Sequence, residues 1–164
     1  MPNLKSPALD PMTVNAVNTT GYPSHLRAIV KGRFKRRLSP ALGLSNFGVN
    51  LTTLEPGSGS ALRHWHETQD EFVFVVSGEL ILITDAGEQR LTAGMCAGFP
   101  KGKADGHHLV NRSAAPATFL EVGDRTWPDA AHYPDDDLHA KPRGEGSADF
   151  GFFHKDGRPY APGE

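Results

Sequence analysis

The sequence predicts an all-β single domain, folded as a barrel or a sandwich. Eight or more short apolar or alternating segments recur at intervals of roughly 8–12 residues. The joins between them are rich in turn formers, with 18 glycines and 13 prolines in 164 residues, so short strands are expected over long helices. No internal repeat, heptad, phosphate-loop or dinucleotide-loop pattern points elsewhere. The length is enough for one sizeable core and too short for two ordinary domains.

Residues 1–24 hold Pro2, Pro7, Pro11 and Pro23 among Asn and Thr and read as an N-terminal arm. The barrel is expected over residues 25–125. Leu26 to Leu38 predicts a strand carrying Lys31, Arg33, Lys35, Arg36 and Arg37, either a charge-protected edge or an anion contact. Ser39 to Gly43 is a turn or one helical turn, and Asn46 to Leu54 alternates as a strand. Glu55-Pro56-Gly57-Ser58-Gly59-Ser60 is a loop before the strand Leu62 to His66. Glu71 to Val76 has apolar residues on both faces and predicts a deeply buried strand. Leu80 to Thr84 and Gln89 to Thr92 form a hairpin across Asp85-Ala86-Gly87-Glu88. Met95 to Phe99, His107 to Arg112 and Ala117 to Val122 complete the expected strands. From Tyr133 onward the chain reads as irregular, and residues 126–164 are expected to pack back on the barrel through aromatics such as Phe150, Phe152 and Phe153.

The net charge of −2 gives no basis for binding nucleic acid or an anionic membrane. A single cysteine, Cys96, excludes an intrachain disulfide and reads as a buried small apolar residue. Neither a secretory signal nor an apolar run long enough for a membrane span is visible, which predicts a cytoplasmic protein.

The chemistry concentrates at His64-Trp65-His66-Glu67-Thr68-Gln69-Asp70-Glu71. Residues i and i+2 of a strand share a face, so His64 and His66 aim two imidazoles at one point and Glu71 joins them from the next strand. Trp65 alternates away. Imidazole and carboxylate donors suit a divalent transition metal such as Zn, Fe, Mn or Ni. A closed cysteine-rich zinc site is excluded by the lone cysteine.

These residues resemble the cupin superfamily, small jelly-roll β-barrels. Its first motif, G-x5-H-x-H-x3,4-E-x6-G, matches His64, His66, Glu71 and Gly78, with Ser58 where the leading glycine belongs. Its second, G-x5-P-x-G-x2-H-x3-N, matches Gly94, Pro100, Gly102, His107 and Asn111, with two extra residues between Gly102 and His107. The motifs span residues 57–78 and 94–111. The resemblance implies a jelly roll and a metal held by His64, His66, Glu71 and His107. The insertion leaves His108 as the alternative to His107.

Glu121 alternates with Phe119 and is either an inward general base or the partner of an arginine such as Arg125. Lys101, Lys103 or the Arg33–Arg37 run are candidate contacts for a phosphate. The resemblance implies a small-molecule enzyme, with sugar-phosphate isomerase chemistry ahead. An iron-dependent dioxygenase and a non-catalytic carbohydrate or small-acid binding module are the alternatives. It also implies a homodimer.

Overall fold

The computed structural model describes residues 4–161 and 163–164. Its strands are β1 (Ala16–Val17), β2 (Arg33–Arg37), β3 (Phe47–Leu54), β4 (Trp65–His66), β5 (Glu71–Ser77), β6 (Glu79–Thr84) and β7 (Gly87–Thr92). They continue as β8 (Cys96–Phe99), β9 (His108–Val110), β10 (Ala117–Asp124), β11 (Ala131–Tyr133), β12 (Leu138–Pro142) and β13 (Phe150–Phe153). One short helix, α1 (Leu38–Leu42), and 3-10 turns at Pro11–Thr13 and Ser24–Val30 complete the described elements.

All strand pairs are antiparallel. One sheet has six strands in the order β1-β2-β3-β10-β5-β8. Opposite it lie a three-stranded sheet, β7-β6-β9, and a four-stranded sheet, β13-β12-β11-β4. The two smaller sheets are stitched edge to edge by single bridges between Gly59 and Val110 and between His64 and His107. The result is an all-β jelly roll: the all-β class is what the strand spacing predicts, and the jelly roll is what the family resemblance implies.

Two apolar clusters follow from this layering. Val73 and Val75 of β5, Phe119 of β10 and Leu54 of β3 pack on Leu80, Leu82, Leu91 and Leu109 of the three-stranded sheet. The second cluster joins Ala131, Tyr133, Leu138 and Ala140 to Tyr22, Val30 and Leu62. Gly78, the last residue of the first motif, turns β5 into β6 with φ of 78°, and a Cβ there would lie 2.8 Å from the Ala117 Cβ. Both features require glycine.

Four expectations are corrected. Ser24–Val30 is a 3-10 helix, so the strand expected from Leu26 begins only at Arg33. Leu26, Ile29 and Val30 stand three and four apart and face the second cluster, a helical spacing that the neighbouring basic run obscured. The chain after Tyr133 is not irregular: β12 and β13 pair with each other, and β11 pairs with β4. Those strands are three to five residues long, too short for alternation to stand out, although Ala131, Tyr133, Leu138 and Ala140 do alternate inward. β5 is buried on one face only, with Phe72, Phe74 and Val76 exposed by 41%, 37% and 46% on the other. Cys96 is exposed, because it lies across from Phe74 on that outer face.

Candidate metal centre

The bridge between His64 and His107 places two imidazoles side by side where β4 meets the start of β9. The backbone N–H of each residue donates to the carbonyl of the other, at 3.2 and 2.9 Å. Strand alternation then brings His66 to the same face as His64. Glu71, the first residue of β5, reaches them from the six-stranded sheet. The loop after β8 closes over β4 because Gly102, at φ of 71°, aims its N–H at the His66 carbonyl, 2.8 Å away.

Glu71 Oε2 lies 3.0 Å from His107 Nε2, 3.7 Å from His66 Nε2 and 3.8 Å from His64 Nε2. His64, His66 and Glu71 each offer a ligand atom within 4.8 Å of the others. The far nitrogens explain the orientation. His64 Nδ1 donates to the Leu62 carbonyl at 2.8 Å, and His66 Nδ1 donates to Asp129 Oδ2 at 2.5 Å. Asp129 is itself buried, and its Oδ1 accepts from the Thr68 backbone N–H and hydroxyl, both at 3.0 Å. With Nδ1 protonated, each Nε2 turns a lone pair towards a carboxylate oxygen. Acceptors that converge in this way can hold a cation between them, and imidazole with carboxylate is the donor set of a divalent transition metal. Two atoms bound to one such metal lie within about 4.2 Å of each other, which the 3.7 and 3.8 Å separations satisfy. The residues present therefore fit a metal.

The titration properties agree. Burial pushes the Glu71 carboxyl up, but the His107 hydrogen bond and the three imidazoles outweigh it and hold it well below the usual range. Burial lowers His64 to about 4, with Glu71 opposing, so its ring is neutral at ordinary pH. His66 also feels burial, yet Asp129 and Glu71 raise it above its ordinary value. Aromatic packing fixes the rings: Phe99 stacks on His107 at 3.5 Å between centroids, and Tyr133 stacks on His64 at 5.5 Å.

His108 takes no part in these contacts: its Nδ1 lies 3.0 Å from the Ala61 carbonyl. Glu121 does not pair with Arg125. Its Oε1 is 2.6 Å from Lys35 Nζ and accepts from Asn50 Nδ2 at 2.8 Å. Trp65 points away from the cluster and stacks on His132. The cluster stands in the wall between two cavities. One, of about 280 Å³, is lined by Arg33, Lys35, Asn50, Glu121 and Tyr22. The other, of about 330 Å³, is lined by Trp65, Thr84, Cys96 and Lys103. His66, Gln69, Glu71, Phe99 and His107 face both. Lys101 lines neither.

Sequence reasoning missed Asp129, Tyr133 and Tyr22. Asp129 follows Trp127-Pro128 at no motif spacing, and only its position beside a short alternating segment was available as a signal.

Comparison with known proteins agrees with this geometry. Residues 50–123 match the model of the cupin domain. A cupin-superfamily sugar phosphate isomerase from Silicibacter pomeroyi is 47% identical, with 94% of this chain and 97% of that chain covered and a TM-score of 0.88. A protein from Acidithiobacillus ferrooxidans, proposed to be a sugar phosphate isomerase, is 26% identical, with 80% and 83% covered and a TM-score of 0.69. A polyketide cyclase from Streptomyces resistomycificus shares the fold at 20% identity, with 74% and 82% covered and a TM-score of 0.61. No curated protein is significantly similar. The chain belongs to the cupin superfamily. Its His/Glu group can hold a metal ion, and among the described residues no helix is long and apolar enough to cross a membrane.

Proposed function

We propose that this cupin is a metal-dependent enzyme of the sugar-phosphate isomerase type. The observation that carries the reading is the 47% identity, over nearly the whole of both chains, to the Silicibacter pomeroyi sugar phosphate isomerase. The ligands would be His64, His66, Glu71 and His107, and the metal would supply Lewis acidity towards adjacent substrate oxygens. Glu121 is the proton carrier. Lys35 and Asn50 both bind its Oε1, and among the described residues none hydrogen-bonds its Oε2. That oxygen is left to take a proton from the hydroxyl-bearing carbon beside a carbonyl and return it to the former carbonyl carbon, while the hydroxyl proton passes to the former carbonyl oxygen; together these shifts interconvert aldose and ketose. Asn50 and Lys35 hold the carboxylate in one orientation across β2, β3 and β10.

The working form is a homodimer. The outer face of the six-stranded sheet exposes Phe34, Phe47, Phe72, Phe74 and Val76, an apolar face that a second copy can cover. Light scattering at a mass near twice 17.7 kDa is the expected result.

The metal-loaded protein is expected to interconvert at least one aldose–ketose phosphate pair, and Glu121→Gln is expected to abolish turnover without releasing metal. Failure across a broad panel of sugar phosphates, with metal content verified, sinks the reading.

A further inference from the structure

Arg33 is a buried cation without a counter-charge. Only 7% of the residue is exposed. Its Nη1 donates to the Ser60 carbonyl at 2.7 Å and its Nη2 to the Thr19 carbonyl at 3.2 Å. Its Nε is buried and has no partner. Among the described residues no carboxylate forms an ion pair with it, whereas Lys35, two residues on, is paired with Glu121 at 2.6 Å. A guanidinium carries five N–H donors in a rigid fork suited to oxyanions. Burying one against two carbonyls alone leaves part of its desolvation uncompensated.

The position of Arg33 gives this deficit a use. Alternation along β2 puts Arg33 and Lys35 on the inner face and sends Phe34 and Arg36 outward. Both inner residues line the cavity of about 280 Å³ that also holds Glu121, His64, His66, Glu71 and His107. The competing lysines are placed differently. Lys103 lines the other cavity, with its side chain 68% exposed and Asp105 at 3.9 Å.

We infer that Arg33, with Lys35 beside it, forms the subsite for the oxyanion group of the substrate, which sits in the same cavity as the His/Glu cluster. The occupant is a phosphate or a carboxylate terminus. The inference rests on the reading of this cavity as the substrate site and adds where its anionic end is held. Arg33 binds substrate and performs no proton transfer. The anion supplies the charge that the fold leaves out, and the guanidinium orients the remainder of the molecule towards Glu121 and the metal ligands.

The test uses the metal-loaded full chain, with inorganic phosphate and malonate as separate probes in calorimetry at low ionic strength. Wild type is expected to bind one of them. Arg33→Met is expected to weaken that probe by about tenfold or more, the equivalent of one charge-assisted hydrogen bond. Arg33→Lys retains part of the affinity, because charge remains without the fork. Arg33→Met also strips donors from Ser60 and Thr19, so Lys35→Met serves as a second variant should the first not fold, with a loss of similar size expected. Lys103→Met is expected to bind as wild type. Unchanged binding in both cavity variants, or loss in Lys103→Met instead, overturns the inference. The two probes separate the sources: preference for phosphate assigns a phosphate ester, and preference for malonate assigns a carboxylate substrate. Arg33-dependent binding with no isomerase turnover keeps the subsite and removes the isomerase reading. Turnover of sugar phosphates with KM unaffected by Arg33→Lys and Lys35→Met keeps the isomerase and removes the subsite.

Discussion

His64, His66, Glu71 and His107 come from β4, β5 and the lead-in to β9, whereas Asp129 and Tyr133 come from β11 and the segment just before it. The first group points donors at a common centre. The second group touches no centre and instead holds two of the imidazoles, Asp129 through His66 Nδ1 and Tyr133 by stacking on His64. One set decides which atoms can bind, and the other decides which way those atoms point. The same division appears in the packing. The first apolar cluster is built from β3, β5, β6, β7, β9 and β10, and the second from the C-terminal strands with Tyr22, Val30 and Leu62 of the preceding chain.

The largest expected effect separates the two sets directly. Glu71→Gln removes the charge on which all three imidazoles converge. Its metal affinity is expected to fall by more than the roughly 10–100-fold typical of losing an outer partner. Metal analysis after gel filtration reads this, and retention of a full equivalent would remove Glu71 from the ligand set. Next comes a matched pair in the two clusters. Leu80 and Leu138 are both fully buried, one in each. Leu80→Ala and Leu138→Ala are each expected to cost about 2–5 kcal/mol in denaturant unfolding. Shared edges join the sheets through β4 and β9, so a single transition is expected for both. A separate early transition in Leu138→Ala alone would make the C-terminal strands an independent folding unit.

Legibility in the sequence follows the same line. His64, His66 and Glu71 stand close together in the chain, and a two-residue repeat on a strand converts directly into a shared direction. His107 was readable because Asn111 fixed its register; Asn111 is fully buried and bonds the Leu54 and Ala115 carbonyls, a role tied to one position. Asp129 was not readable. A carboxylate that acts on His66 from 63 positions away leaves no periodic trace. The basic run at Arg33–Arg37 was legible as charge but not as geometry, since only the turn at Ser24–Val30 decides which of its members face inward. Glu121 was placed on the correct face by alternation, yet its partner was not: Lys35 reaches it across β3, a pairing set by sheet order.

A smaller effect concerns protons on the motif set. In the folded, metal-free protein His64 titrates at about 4, against an ordinary value of 6.5. Between those limits the unfolded chain takes up a proton that the folded chain refuses, so stability falls as pH drops from 6.5 towards 4. The size is about 3 kcal/mol at full expression. His66 has the opposite sign, because its raised value adds stability as pH falls through that value and stays constant below 6.5. The depressed Glu71 contributes loss only below its ordinary 4.5. Denaturant unfolding of chelator-treated protein is expected to show the decline, and His64→Gln is expected to flatten it. An equal slope in both would place the proton uptake elsewhere.

The smallest expected effect isolates the second set. Asp129→Asn keeps the shape and the acceptor oxygen but removes the charge that fixes the His66 Nδ1 proton. The residue is buried and also holds Thr68 through its other oxygen, so the backbone entering β5 is not expected to move. Metal affinity is expected to fall about 10–100-fold, less than for Glu71→Gln. The His66 imidazole is expected to titrate lower than in wild type, since the hydrogen bond and charge of Asp129 are among the forces that raise it. Competition with a chelating dye reads the affinity, and NMR of the imidazole reads the titration in the metal-free form. A loss as large as that of Glu71→Gln would mean that Asp129 binds the metal itself. No loss, with the His66 titration unchanged, would mean that β4 alone orients the ring and that the C-terminal strands serve only to pack.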